Sequence, residues 1–170
     1  MTEQDPERPV STGARPSPLD DIDRRIVDAL RADGRLSVRA LAEQVHVSRA
    51  AVHARVQRLE RDGVLLGYQA RVDPDRLGLS VSALVHLRIA QQTWKEVRER
   101  ICAIPEVWHA TLVSGEYDLV LLVRTSDAAA LRDLVLNRLQ AIPSVRATHT
   151  ILILDEVGDA PAGRTVGTGP

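Results

Sequence analysis

Arg49, His53 and Gln57 stand four residues apart, so on a helix they share one face, with Ala50 and Ala54 between them. Arg, His and Gln side chains can hydrogen-bond base edges in a DNA major groove, and alanines let a helix approach closely. Arg39, Arg55 and Arg58 flank this face in positions suited to backbone phosphates. From Arg35 to Arg71 there are seven arginines (35, 39, 49, 55, 58, 61 and 71) against Glu43, Glu60 and Asp62, a local net charge of +4. The whole chain carries −1. Positive charge is concentrated where a nucleic acid would lie.

Catalytic chemistry has less to work with. His86, His109 and His149 fall on expected strands, and no nucleophile stands beside a base. Cys102 is the only cysteine, which excludes an intramolecular disulfide and a cysteine-cluster metal site. No metal and no cofactor is expected.

The elements that must position the basic face are two short amphipathic helices. Val38, Leu41, Ala42 and Val45 share a face of the first, which Ser37 caps. Val52, Val56 and Leu59 form the buried stripe of the second, with Ser48 as N-cap and Gly63 as the residue that ends it. Only Val45-His46-Val47-Ser48 separates them, which is the spacing of a helix-turn-helix. Upstream, Ile22, Ile26, Val27 and Leu30 make a third stripe, opened by Asp20 or Asp21 and ended by Gly34. Val64 to Leu66 and Tyr68 to Val72, around Gly67, read as short strands of a wing or a connection.

Outside this region, residues 1–18 are rich in Pro, Ser, Thr and charge, the composition of a disordered tail. Residues 19–71 form the DNA-binding domain and 72–80 a linker broken at Asp73-Pro74. Residues 158–170, rich in Gly, Pro, Ala and Thr, are expected to be mobile. The chain has 170 residues, 44% of them hydrophobic and none of them Phe, so its cores must be aliphatic. No apolar run spans a membrane and none follows Met1 as a signal segment. The expected location is the cytoplasm, associated with the nucleoid.

Residues 81–157 change period. Val81, Ala83, Val85, Leu87 and Ile89 alternate as in a strand. Thr93-Trp94-Lys95-Glu96 reads as a capping box, opening a helix with Trp94, Val97 and Ile101 on one face. Strands are expected at 107–113, 117–123 and 145–154. A second helix, capped by Ser126 or Asp127, turns Leu131, Leu134, Val135 and Leu139 inward. Ala103-Ile104-Pro105-Glu106-Val107 returns 38 residues later as Ala141-Ile142-Pro143-Ser144-Val145. Two β-α-β units in series give βαββαβ, a ferredoxin-like sheet covered by helices on one face. Leu84, Trp108, Leu112, Val120, Leu122, Leu152 and Leu154 cannot all face those helices, so the open face should carry a homodimer interface. The fold class expected is α+β: an N-terminal (winged) helix-turn-helix domain and a C-terminal ferredoxin-like βαββαβ effector and oligomerisation domain.

The two halves together resemble the Lrp/AsnC (feast/famine) family of transcription regulators. The stretches that carry the resemblance are LDDIDRRIVDAL (19–30), VSRAAVHARVQRLERDGVLLGY (47–68), VDPDRLGL (72–79) and SGEYDLVLLV (114–123). It implies double-stranded DNA as partner and homodimers assembled into tetramers, octamers or larger rings. It also implies a small effector, usually an amino acid, held between dimers near residues 115–118. The residues expected at DNA are Ser37, Arg39, Ser48, Arg49, Ala50, His53, Arg55, Gln57 and Arg58. Those expected at the effector are Gly115, Glu116, Tyr117, Asp118, Asn137, His149 and Thr150. There is a rationale for the turn: Gly115 permits close approach of backbone amides to a carboxylate, and Asp118 could pair with an ammonium. The chain departs from the family at His46, where Gly is common, and at Asn137 and Ser144. Two other readings stay open: an architectural DNA-binding protein without an effector, and an enzyme like the sirohaem decarboxylases, which resemble the family in both domains.

Overall fold

The computed structural model describes residues 18–90 and 93–156, so both expected tails, apart from Pro18, lie outside the described residues. The chain divides into two compact units between Arg71 and Val72.

The first unit contains α1 (Asp21–Ala32), α2 (Val38–Val45) and α3 (Arg49–Arg61). Asp20 opens α1 with a reciprocal cap: its carboxylate accepts from the Asp23 N–H, and the Asp23 carboxylate accepts from the Asp20 N–H. Ser37 and Ser48 cap α2 and α3, accepting from Ala40 and Ala51. His46 ends α2 at φ 59, the left-handed region, which His tolerates better than most residues. Gly63 takes φ 69 after α3, where the Val64 and Leu65 amides both turn back to the Leu59 carbonyl. Ile26, Ala29, Leu30, Leu41, Ala42, Val45, Val52 and Leu59 form the buried core. Each fully buried Leu or Ile contributes about 1.5–3 kcal/mol.

Three local expectations are corrected here, and one open alternative is resolved. No strand forms between Arg61 and Val81, so there is no wing among the described residues: Val64 and Leu65 instead pack on the helical core, and Leu66 is exposed. Val38 is exposed, the stripe of α2 being Leu41, Ala42 and Val45. Gly34 is not in the left-handed region; Asp33 ends α1 in an extended conformation. Asp20, not Asp21, is the α1 cap.

The second unit opens with a short 3-10 turn, Asp75–Leu77. Its elements then run β1 (Val81–Ile89), α4 (Trp94–Cys102), β2 (Val107–Leu112), β3 (Leu119–Thr125), α5 (Ala128–Asp133) and β4 (Val145–Ile153). The strands form one antiparallel sheet in the order β2-β3-β1-β4, the ferredoxin-like arrangement. Ala83, Val85, Leu87, Leu119, Leu121 and Val123 bury one face with Val97, Ile101, Leu131, Leu134, Val135 and Leu139 of the helices. Asp127 caps α5, whereas the Thr93 side chain makes no cap bond and donates to the Ala90 carbonyl instead. The capping box expected at α4 is therefore absent.

The internal repeat is structural. Ile104 and Ile142 are both buried, and Val107 and Val145 each donate to the isoleucine carbonyl three residues back. The Glu106 and Ser144 carbonyls, also equivalent, accept from the N–H groups of Arg124 in β3 and of Ala90 just past the end of β1. The copies differ after α5, which continues as a π-helical turn, Leu134–Leu139.

Register fixes the open face. Leu84, His86, Val120 and Leu122 alternate with the buried residues, and Ile151 pairs with Leu84. Leu112 and Leu152 pair with Leu119 and Ala83, so they belong to the helix-facing register at its exposed edges. A register shift at Trp108 places its ring under Arg124, whose guanidinium lies 4.9 Å from the ring centroid.

Candidate DNA interface and effector site

The exposed residues of α3 are Arg49, Ala50, His53, Ala54 and Gln57, with Glu60 and Arg61 in its last turn. Ser37 and Ser48 are exposed as well, though each hydroxyl is already an N-cap acceptor. An open groove of about 640 Å³ runs along the helix-turn-helix, lined by Arg39, Ala42, Glu43, His46, Val47, Ser48 and Arg49. Arg39 pairs there with Glu43 at 3.0 Å, both well exposed, a contact that phosphate can displace at small cost.

Arg55 and Arg58 are placed differently from the expectation that they are free for phosphates. Both turn toward α1. Arg55 Nη1 donates to Asp20 Oδ2 at 2.6 Å and to Asp23 Oδ1 at 2.7 Å. Arg58 Nη2 donates to Asp23 Oδ2 at 2.5 Å. Asp23 is only 1% exposed, the Arg55 side chain 25% and Arg58 37%. The Asp23 N–H, then the Arg55 guanidinium, hold the Asp20 carboxyl below its ordinary range; Asp20, then Asp23, raise Arg55 further. The sequence reading missed these carboxylates. The one available signal was the i, i+3 spacing of Asp20 and Asp23 at the start of α1.

In the second unit, Ser114, Gly115 and Glu116 are exposed in the turn between β2 and β3. Gly115 sits at φ 151, closed to most side chains. The amides on either side are spoken for: Val113 donates to the Asp118 carbonyl and Asp118 to the Leu87 carbonyl. Among the described residues, the amides of 114–117 have no such partner, so they remain available to a carboxylate.

The other expected effector residues divide. Tyr117 and His149 stack at 5.9 Å with 20° between planes, and His86 closes a three-ring cluster at 5.4 Å from Tyr117. Arg88 lies over Tyr117 and donates through Nε to the Glu116 carbonyl at 3.1 Å. His86 and Arg88 were not foreseen as site residues. Thr150 pairs with Val85 on the helix-facing register, so it points away from His149, as successive strand residues must. Asn137 donates to Asp133 Oδ1 at 2.7 Å on the exposed side of the π-helical turn, and no hydrogen bond joins it to residues 114–118. Asp118 has a structural duty, its Oδ2 accepting from the Ile89 N–H at 2.8 Å.

No group of three or more His, Cys, Asp or Glu that could hold a metal occurs among the described residues. Nor is any helix there long and apolar enough to cross a membrane.

Residues 19–60 match the AsnC-type helix-turn-helix domain, and residues 82–162 the Lrp/AsnC ligand binding domain. The transcriptional regulator LrpA of Mycobacterium tuberculosis is 41% identical over 136 residues, 79% of this chain and 90% of that protein. AldR of Mycolicibacterium smegmatis, also a transcriptional regulator, is 35% identical over 160 residues, 92% of each. The solved complex of transcriptional regulator NMB0573 from Neisseria meningitidis with L-Met superposes with a TM-score of 0.78 at 26% identity, covering 83% of this chain and 93% of that one. The relatives regulate transcription, so the decarboxylase reading falls. The chain belongs to the Lrp/AsnC family of transcriptional regulators, with a DNA-binding helix-turn-helix domain and a ligand-binding domain.

Proposed function

We propose that this protein binds specific DNA sites through α3 and that a free amino acid, bound at the 114–118 turn, changes its DNA affinity or assembly. The observation that carries the effector reading is the exposed Gly115 turn with unpaired amides, beside Arg88 and Tyr117. Amides and a guanidinium suit a carboxylate, and the free oxygen of Asp118 suits an ammonium. The meningococcal relative bound to L-Met gives the same chemical class. Arg49, His53 and Gln57 are the base-reading residues in this account, with Ser37, Arg39, Ser48 and Ala50 around them.

The apolar open face of the sheet supports a two-fold homodimer, and dimers assembled further would complete the effector pocket. Two recognition helices would then read half-sites one helical turn of DNA apart, or a multiple of it. The protein would act on DNA in the cytoplasm. Calorimetry of the intact chain against the common amino acids, with light scattering on the same samples, tests this. One or more amino acids should bind and an even-numbered oligomer should form. No binder in the panel would favour an effector-free architectural protein, and a monomer at micromolar concentration would remove the proposed dimer.

A further inference from the structure

Four charged groups join α1 to the recognition helix, and no DNA-reading role accounts for them. Asp20 and Asp23 lie at the start of α1; Arg55 and Arg58 lie on the flank of α3. Asp23 uses both oxygens on the two guanidiniums, and Asp20 adds a second contact to Arg55. Two positive charges are thereby matched by two negative ones, on a helix whose base-facing side carries Arg49 and His53.

A buried, geometrically satisfied ion pair is weak evidence of stabilisation, because desolvation offsets much of the attraction. The core beside it already holds Val52 and Leu59 against α1. The clamp is better explained by what it does to the field. Each arginine that reaches a phosphate adds sequence-independent affinity by releasing counterions. Arginines held by carboxylates add little. Binding must then depend more on base-edge contacts.

We infer that the Asp20–Asp23 pair withholds Arg55 and Arg58 from DNA phosphates, lowers non-specific affinity and so sets the specificity ratio of the domain. The inference rests on the helix-turn-helix being the DNA-binding unit.

The test uses the full chain and a short duplex of random sequence, with affinity followed by fluorescence anisotropy across a salt series. D20N/D23N should bind this duplex several-fold more tightly than the wild type. The plot of log affinity against log salt should steepen by about 0.9 for each arginine that gains a phosphate. D20N alone keeps the helix cap, since Asn caps as well as Asp. It should move both quantities the same way by less, so the result does not depend on the double variant folding. D21N is the control for net charge: among the described residues Asp21 pairs only with Arg24, at the exposed surface. A D21N effect equal to that of D20N would assign the change to the general field and overturn the clamp. Affinity unchanged or reduced in folded D20N, with no steeper slope, would also overturn it and would mean that the acids present the arginines to phosphate. A wild type with no affinity for duplex DNA would contradict the reading on which the inference rests, and the two failures are distinguishable on the wild type alone.

Discussion

Asp118 separates structure from recognition, because two substitutions remove different parts of it. Its carboxylate accepts the Ile89 N–H at 2.8 Å in a half-buried setting, where β1 ends. Its own backbone is bonded to Leu87 and Val113, so the residue pins the β2–β3 corner to β1. Asp118→Ala leaves the Ile89 amide without its acceptor. An unsatisfied buried donor costs about 1–3 kcal/mol, and partial access of water places this one at about 1–2 kcal/mol. For a domain of this size that is a fall in Tm of roughly 4–8 °C for each kcal/mol. Asp118→Asn keeps an acceptor for Ile89 and removes only the charge, so its stability should stay within about 0.5 kcal/mol of the wild type. If the charge holds an ammonium, Asp118→Asn loses a charge-assisted bond of about 1.5–3 kcal/mol, at least tenfold in effector affinity. Thermal unfolding read beside calorimetry with the identified effector settles both halves. Wild-type effector affinity in Asp118→Asn would refute the ammonium contact. Wild-type stability in Asp118→Ala would refute the structural one.

His46→Gly should raise stability by up to about 1 kcal/mol, since Gly removes the left-handed penalty at φ 59 but adds freedom to the unfolded chain; His46→Val should lower it, and urea unfolding reads both. Burial raises the Glu106 pKa and is the largest single influence, but the Arg138 bond at 2.6 Å, a bond from the Glu106 backbone N–H and the Arg138 charge together outweigh it, and the net shift is downward. A depressed folded pKa stabilises above the ordinary carboxylate range and the benefit is lost as pH falls through the lowered value. Glu106→Gln should therefore be less stable than the wild type at neutral pH, with the gap closing below about pH 4, which unfolding across a pH series would show. His53→Ala should relax sequence choice with little change in salt dependence, measured by selection from a random duplex library; an unchanged selected sequence would take His53 out of the interface.

The fold was legible because its signals are local. Ser37, Ser48 and Asp127 announce helix starts, the period shift at Val81 announces the sheet, and the Ala-Ile-Pro repeat announces its pseudo-symmetry. What was not legible depends on partners far away in sequence. Nothing near Arg55 or Arg58 shows that carboxylates about 32–35 positions earlier bind them. Thr93 has the spacing of a cap, but the nearby Ala90 carbonyl takes its hydroxyl. The π-helical turn shifts the register around Asn137, which ordinary helical spacing does not foresee. Thr150 is legible from the sequence as lying opposite His149, because strand alternation alone sets it there. The ring cluster of His86, Tyr117 and His149 needed the pairing of β1 with β4, and no single segment contains it.

An amino acid bound at the second domain should alter DNA binding by the first. The direct measurement is the affinity of the intact protein for a site recovered by genome-wide DNA capture, titrated with each common amino acid. A ligand shifts the equilibrium only if it favours one state, and coupling of this kind is typically about 1–3 kcal/mol. At least one amino acid should change the affinity several-fold or more, and Asp118→Asn should abolish the change while basal binding persists. An affinity indifferent to every amino acid in the panel would contradict it.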